Sequence, residues 1–278
     1  MRLVVLFSAA VMAAAPARAQ SLVAPPPAPE RQRGDSIRSE HLFTRRDAYV
    51  AGGFLAGAAL LAPLDREVDD ALQEPAYQSR KALSGTASVF RLLGIPGAPL
   101  LSVGTYATGR LLHRPGLADA GLHVTEAIVM ANVVTGVTKN LVGRARPAIS
   151  PDDPYGVEFL GGFKDDEHRS FPSGHTSTAF AAASAASAEL AHWAPEYRVP
   201  GAVVLYSAAT LVGVSRMYNQ RHWATDVVTG AAIGTFSGWK IVHFNHQNPG
   251  NRIDRLLLST TPIPTGDGGV ALVWTIRR

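Results

Sequence analysis

The sequence predicts an all-α protein, a helical bundle followed by a small C-terminal β-hairpin. Three observations carry that expectation. From Tyr49 onward the 278-residue chain turns to small and apolar residues. These fall into stretches of helical length, separated by Pro, Gly and polar breaks. A period of two stands out near the C-terminus, where Val270, Leu272, Trp274 and Ile276 alternate beside the turn cluster Thr265-Gly266-Asp267-Gly268-Gly269.

The elements follow in order. Met1-Arg2, the apolar run Leu3 to Ala15 and the A-x-A site Ala17-Arg18-Ala19 read as a secretory signal peptide over residues 1–19. Residues 20–46, with Pro25-Pro26-Pro27-Ala28-Pro29, read as an extended linker. The helical domain is expected over 47–247, with helices near 47–62, 64–74, 78–92, 97–111, 117–140, 175–191, 199–214 and 223–245. Between the fifth and sixth, Pro147, Pro151, Pro154 and Pro172 forbid a continuous helix. Loops of that length inside a compact domain are usually functional. Residues 248–278 form a C-terminal extension carrying the hairpin.

Composition narrows the function. The chain has no cysteine, which excludes iron–sulfur clusters, thiolate zinc sites, a catalytic thiol and a lipoprotein anchor. The formal charge of +4 falls by two when Arg2 and Arg18 leave with the leader. So small an excess argues against a nucleic-acid partner, which requires clustered Lys and Arg. Export to a periplasm or cell envelope is the expectation. Mean hydropathy is +0.07, between soluble enzymes and integral membrane proteins. The longest uncharged apolar windows, Tyr49–Leu64, Ile128–Thr138, Val199–Ser215 and Val227–Trp239, each fall short of the roughly 20 residues of a span. On that count a soluble or peripherally attached domain is favoured over an integral one.

Three segments concentrate cations and histidines among apolar helices. Lys139 and Arg146 lie at a helix exit, seven positions apart, and suit an oxyanion: Arg grips bidentately and Lys adds a compact charge. Pro172-Ser173-Gly174-His175 opens an Ala-rich helix. There a hydroxyl, a backbone amide and the helix N-terminus all favour a phosphate. Ser215-Arg216 precedes His222 and Asp226, an i, i+4 pair in which a carboxylate can hold one imidazole nitrogen and leave the other as nucleophile or base. In an antiparallel bundle these helix ends gather at one pole.

The three segments resemble the type 2 phosphatidic acid phosphatase and vanadium haloperoxidase superfamily, whose pattern K-x6-RP, PSGH and SR-x5-H-x3-D is filled at every fixed position. The resemblance implies a helical bundle and hydrolysis of phosphate esters without a metal. It implies that Lys139, Arg146, Ser173, Gly174 and Arg216 bind the phosphoryl group. By the same likeness His222 is the nucleophile that forms a phosphohistidine, Asp226 orients it, and His175 protonates the leaving oxygen. The substrate is expected to be a phosphorylated lipid, such as phosphatidate or an isoprenyl diphosphate, or a soluble phosphate ester. No cofactor is expected, and vanadate should inhibit.

Taken singly, each residue has a plainer reading: cations at helix C-termini as dipole partners, Ser173 as an N-cap, His222 and Asp226 as a surface pair. Those readings do not explain the ordered spacing. Two alternatives compete with hydrolysis: a haloperoxidase using vanadate as cofactor, and a non-catalytic phosphate- or phospholipid-binding protein. Elsewhere, His168 in Asp165-Asp166-Glu167-His168 reads as part of a solvated loop. Phe159, Phe163 and Phe171 read as anchors of that loop to the core, with the lining of an apolar substrate entrance as the alternative. Asp65, Asp69 and Asp70 read as helix-start, solvent-facing residues, and His123, His192 and His246 as surface or helix-end residues.

Overall fold

A computed structural model describes residues 43–249, 251, 260–264 and 270–274. The leader, nearly all of the linker and most of the C-terminal extension lie outside the described residues. Among those described, α1 (Arg45–Leu61) runs through a single 3-10 turn into α2 (Asp65–Gln73) and the short α3 (Pro75–Gln78). Then come α4 (Lys81–Leu92), α5 (Ala98–Leu111), α6 (Pro115–Val142), α7 (Gly174–Trp193), α8 (Arg198–Tyr218) and α9 (Ala224–Gln247). Two strands, β1 (Thr260–Pro264) and β2 (Val270–Trp274), pair antiparallel with Thr260 opposite Trp274.

Local chemistry sets the boundaries. Asp47 accepts the Thr44 backbone N–H at 2.7 Å and closes a capping box at the start of α1. Proline stands at the start of α6, where its missing N–H costs nothing. Between α4 and α5, Ile95 leaves helical geometry (φ −141°, ψ 123°) just before Pro96, so two helices meet at a sharp kink. At the end of α8 the helix continues to Tyr218 rather than stopping at 214, so Arg216 remains helical.

The centre of the bundle is α7. Its Ala181 and Ala185 pack with Val124, Ala127, Ile128 and Ala131 of α6 and with Ile241 and Val242 of α9. Its Ala179 and Ala183 pack with Ala209 and Val212 of α8. Small side chains permit this close approach. A Cβ on Gly234 of α9 would stand 2.3 Å from the Ser177 carbonyl, and one on Gly238 would stand 2.7 Å from the Ala181 carbonyl. Interfaces of this kind are characteristic of helices packed inside a membrane.

The expectation that no stretch reaches span length is corrected here. Among the described residues, four stretches are long and apolar enough to cross a membrane: Arg45–Gln73, Lys81–Leu111, Pro115–Val142 and Pro195–Tyr218. Counting uncharged runs understated them, because a single charged or polar residue, above all on an inward face, interrupts a run without shortening a span. Their outward faces are apolar: Leu100, Leu101 and Val103 on α5, Val129, Val133 and Val137 on α6, and Val199, Val203 and Val204 on α8 are all exposed. Contiguous exposed apolar surface of this extent marks a lipid or protein interface.

Candidate active site

Four helix ends meet at one pole. Lys139 lies in the last turn of α6, after which Gly143 adopts φ 62°, ψ 44° and returns its N–H to the Lys139 carbonyl. Only glycine adopts that conformation without strain, and a Cβ there would collide with the Glu158 carbonyl. The chain leaves the helix as a folded loop, not an open one. Arg146 donates its N–H to the Glu167 carbonyl at 3.0 Å, and Ser170 donates to the Arg144 carbonyl at 3.0 Å. Ser173 is the N-cap residue of α7, with Gly174 and His175 in its first turn. Arg216 lies in the last turn of α8, the segment 219–223 turns back, and α9 opens with Asp226 in its first turn. The structure therefore brings Lys139, Arg146, Ser173, Gly174, His175, Arg216, His222 and Asp226 to the same end of the bundle.

The front of this cluster carries cations with unspent donors. Arg146 and Arg216 are 7% and 5% exposed, yet the Nε of each is buried without a hydrogen-bond acceptor among the described residues. Arg169, absent from the sequence pattern, has a buried Nε in the same condition. Buried guanidinium donors are rarely left unsatisfied, and their natural complement is an oxyanion. Arg146 does spend one Nη2 hydrogen bond on Asp166, at 2.9 Å, and Arg221 takes the other oxygen of that carboxylate at 2.7 Å. Asp166 is 63% exposed, so an incoming anion can compete for both arginines. Lys139 Nζ donates to the Arg169 carbonyl. Ser173 Oγ pairs with Thr176 Oγ1 at 2.8 Å, and the space a Cβ would fill at Gly174 is open up to 4.0 Å.

Behind the cations lies a saturated network that the sequence pattern does not contain. Arg144 Nη1 donates to Asp226 Oδ1 at 2.6 Å and to Thr225 Oγ1 at 2.7 Å. Its Nη2 donates to Asp65 Oδ2 at 2.7 Å and its Nε to the Pro154 carbonyl at 2.9 Å. Asp65 also accepts the Thr225 N–H at 2.8 Å. Asp226 accepts the Trp223 N–H at 2.8 Å and the Ser170 hydroxyl. Trp223 is 1% exposed, lies 5.6 Å beneath the Arg144 guanidinium and donates Nε1 to the Ala145 carbonyl.

Asp226 thus reaches the histidine by a different route from the expected one. His222 Nδ1 donates to the Ser170 carbonyl at 2.7 Å and stands 3.8 Å from Asp226 Oδ2. The carboxylate holds the residue that holds the imidazole, and its charge acts across the remaining gap. A carbonyl can only accept, so the proton sits on Nδ1 and the lone pair on Nε2.

Electrostatics follow from burial. Desolvation pushes His222 down to about 4, against the upward pull of Asp226. His175 falls further, to about 3, from desolvation first and then from Arg216, His222, Arg91 and Lys139. Burial alone would raise the Asp226 carboxyl. Its contacts with His222, Arg144 and Ser170 outweigh that and hold it below the ordinary range. Both imidazoles are neutral in the free protein at neutral pH.

Several readings of single residues are corrected. Asp65 is 0% and Asp69 6% exposed, so neither faces solvent. Phe159 and Phe163 are 75% and 68% exposed, so they do not anchor the loop to the core. His123 is buried at 4%. His168 pairs with Asp165 at 2.9 Å on the loop surface. Sequence reasoning missed Arg144, Arg169 and Arg221. The available signal was a second arginine two positions before Arg146, in a chain where charged residues are sparse.

Comparison with known proteins agrees with the helical fold. Residues 120–249 match the family model of the PAP2 superfamily. A lipid A 1-phosphatase of Porphyromonas gingivalis is 48% identical over 69 residues, 25% of this chain and 15% of that protein. Lipid phosphate phosphatase 1 of Arabidopsis thaliana is 34% identical over 128 residues, 39% of each chain. The chain thus matches less than half the length of these curated relatives. Among solved structures, a transmembrane PAP2-type phosphatidylglycerolphosphate phosphatase from Bacillus subtilis superposes with a TM-score of 0.57 at 21% identity, covering 75% of this chain and 99% of that one. That likeness establishes a shared fold. Residues 120–249, just under half of the chain, are thus similar to the PAP2 superfamily, the grouping to which the three motifs pointed.

Proposed function

We propose that this protein is a membrane-embedded phosphatase that hydrolyses phosphorylated lipids through a phosphohistidine, without a metal ion in the reaction. The observation that carries the reading is the pairing of buried, unsatisfied guanidinium donors on Arg146 and Arg216 with two neutral imidazoles at one pole. The phosphoryl oxygens complete the donors of Arg146, Arg216 and Lys139 and the α7 N-terminus, with Ser173 and Gly174 at that turn. His222 Nε2 attacks phosphorus as the bond to the leaving oxygen breaks. His175 delivers its proton to that oxygen. Water then attacks the phosphohistidine, the P–N bond breaks, and His175 takes the water's proton, so that inorganic phosphate leaves and both histidines are restored.

Protonation is coupled to substrate. In the free protein His175 is too acidic to hold a proton near pH 7. A bound phosphate dianion raises its pKa and loads the acid only when there is something to protonate. The cations take the part metal ions play in many phosphoryl transfers, stabilising charge on the equatorial oxygens.

A lipid substrate is supported by the four span-length helices, by the exposed Phe159 and Phe163 on the loop that carries Arg169 and Asp166, and by the relatives named as lipid A 1-phosphatase and lipid phosphate phosphatase. The leader-like residues 1–19 support an envelope location. The test is phosphate release by detergent-purified protein from lipid A 1-phosphate, phosphatidate, isoprenyl diphosphates and soluble esters. It should be run with acid-quenched trapping of labelled phosphohistidine in wild type and His222→Ala. Label retained in the variant overturns the mechanism. Preference for soluble esters overturns the lipid assignment, and halide oxidation with vanadate and peroxide in place of phosphate release would favour the haloperoxidase chemistry.

A further inference from the structure

The three central helices carry a second cluster at their other end. His123 lies in α6, Glu189 in α7 and His246 in α9. Lys139 is sixteen residues beyond His123 on the same helix, roughly 24 Å at about 1.5 Å per residue. The cluster is therefore separate from the phosphate-binding pole and takes no part in the proposed reaction.

Its geometry is convergent. His123 Nδ1 stands 2.6 Å and His246 Nε2 stands 3.0 Å from the same oxygen, Glu189 Oε1. The three ligand atoms all lie within 4.8 Å of one another. The Glu189 and His123 side chains are 2% and 5% exposed, whereas His246 is 28% exposed and opens one side of the cluster. The second oxygen, Oε2, accepts the Trp193 indole N–H at 3.0 Å. A ligating carboxylate is held in orientation by just such an outer partner. The ring of His192 lies 4.3 Å from that of His246.

We infer that His123, Glu189 and His246 form a site for a divalent first-row transition metal of the zinc type. Two imidazoles and one carboxylate make a mixed nitrogen and oxygen donor set that suits zinc better than the all-oxygen sets favoured by magnesium or calcium. Tetrahedral bonds of about 2.0–2.1 Å place ligand atoms about 3.3 Å apart, so the two shortest contacts open by well under ~1 Å to admit the ion. The open side near His246 leaves a fourth position for water. A carboxylate buried among three helices, already turned toward two imidazoles, is hard to account for as surface solvation. The plainer alternative is a hydrogen-bond hub in which the two histidines and Trp193 simply satisfy Glu189. The two readings differ in what the cluster does when offered metal. A metal here clamps α6, α7 and α9 together at the pole away from the chemistry, and because only the folded chain assembles the ligands, binding stabilises the fold.

The experiment uses full-length, detergent-purified protein stripped of metal and dialysed against Zn²⁺ or Co²⁺. The expected result is one equivalent of metal per chain, a raised unfolding temperature, and for cobalt the intense visible absorption of a four-coordinate site. His123→Ala and His246→Gln should each abolish the cobalt band, and Glu189→Gln should weaken binding at least tenfold. His246→Gln is the safer variant because it lies at the partly exposed edge, and circular dichroism of the metal-free form verifies that it folds. His222→Ala should bind metal like wild type. If wild type takes up no more metal than His123→Ala/His246→Gln, or if uptake is lost with His222 instead, the proposal fails. None of these three readouts depends on turnover, so the site and the phosphatase reading stand or fall separately.

Discussion

The front and the rear of the catalytic pole are both rich in buried charge, yet they are built on opposite terms. At the rear, Arg144 bridges Asp65 and Asp226 and also reaches Thr225 and the Pro154 carbonyl, so its guanidinium is fully occupied. At the front, Arg146 and Arg216 are as deeply buried but keep donors with no described acceptor. A buried charge is tolerated when it is paired and costly when it is not. The rear is therefore scaffold, and under the proposed function the front is where the substrate anion binds. Stability and turnover should separate along that line.

The most severe test is His222→Ala. If the imidazole is the nucleophile, turnover of a lipid phosphate should fall by about 10⁴-fold or more, measured as phosphate release. A smaller loss would reduce the front to a binding surface. Next comes the rear. Arg144→Met leaves Asp65 and Asp226 uncompensated at 0% exposure each, a loss of about 3–5 kcal/mol. It should appear as a lowered melting temperature in detergent, together with reduced kcat as the Ser170 and His222 alignment loosens. Arg216→Met at the front should cost about 10²–10³ in kcat while leaving the melting temperature unchanged or higher, because it removes an unpaired buried cation. Equal destabilisation by the two substitutions would erase the distinction between front and rear.

A gentler probe is pH. His222 and His175 are held at about 4 and about 3, below the ordinary 6.5 of an unfolded chain. Between those values the unfolded state binds more protons than the folded one. Stability is thus fully present above about pH 6.5 and is lost as pH falls through 4. In kinetics, kcat/KM reports the free enzyme, which needs His222 neutral and His175 protonated, so it should peak between about 3 and about 4 and decline as pH rises. The kcat profile should be bell-shaped and centred at higher pH, since bound dianion raises His175. An acid limb near 6.5 in kcat/KM would mean that the free site is far better solvated than its burial indicates. The smallest effect belongs to the loop surface: Glu158→Gln removes the ion pair with Lys164 and should leave melting temperature and turnover unchanged.

Much of the site was legible because its residues form short linear runs at helix ends, where spacing alone fixes proximity. Lys139 with Arg146, Ser173 with His175, and Arg216 with His222 and Asp226 each fall within one turn or one loop. Asp65 and Arg144 are 79 residues apart, and no local pattern links them, so Asp65 read as an exposed helix start. Phe159 and Phe163 were misplaced for the same reason: whether a loop aromatic turns inward or outward is set by tertiary packing, not by its neighbours in sequence. The span-length helices were missed because charge-free runs were counted along the sequence, whereas a bilayer sees only the outward face.

By itself, then, the sequence determined the helical class, the order of the helices and the three segments that carry phosphate chemistry, since periodicity, proline breaks and motif spacing are local properties of the chain. The tertiary structure alone decided which charges are paired and which are left for a ligand, how Asp226 reaches His222 through Ser170, and which faces turn outward. Burial and long-range pairing depend on elements that meet only after folding, and it is the low dielectric of that assembled interior that gives each charge its cost and its use.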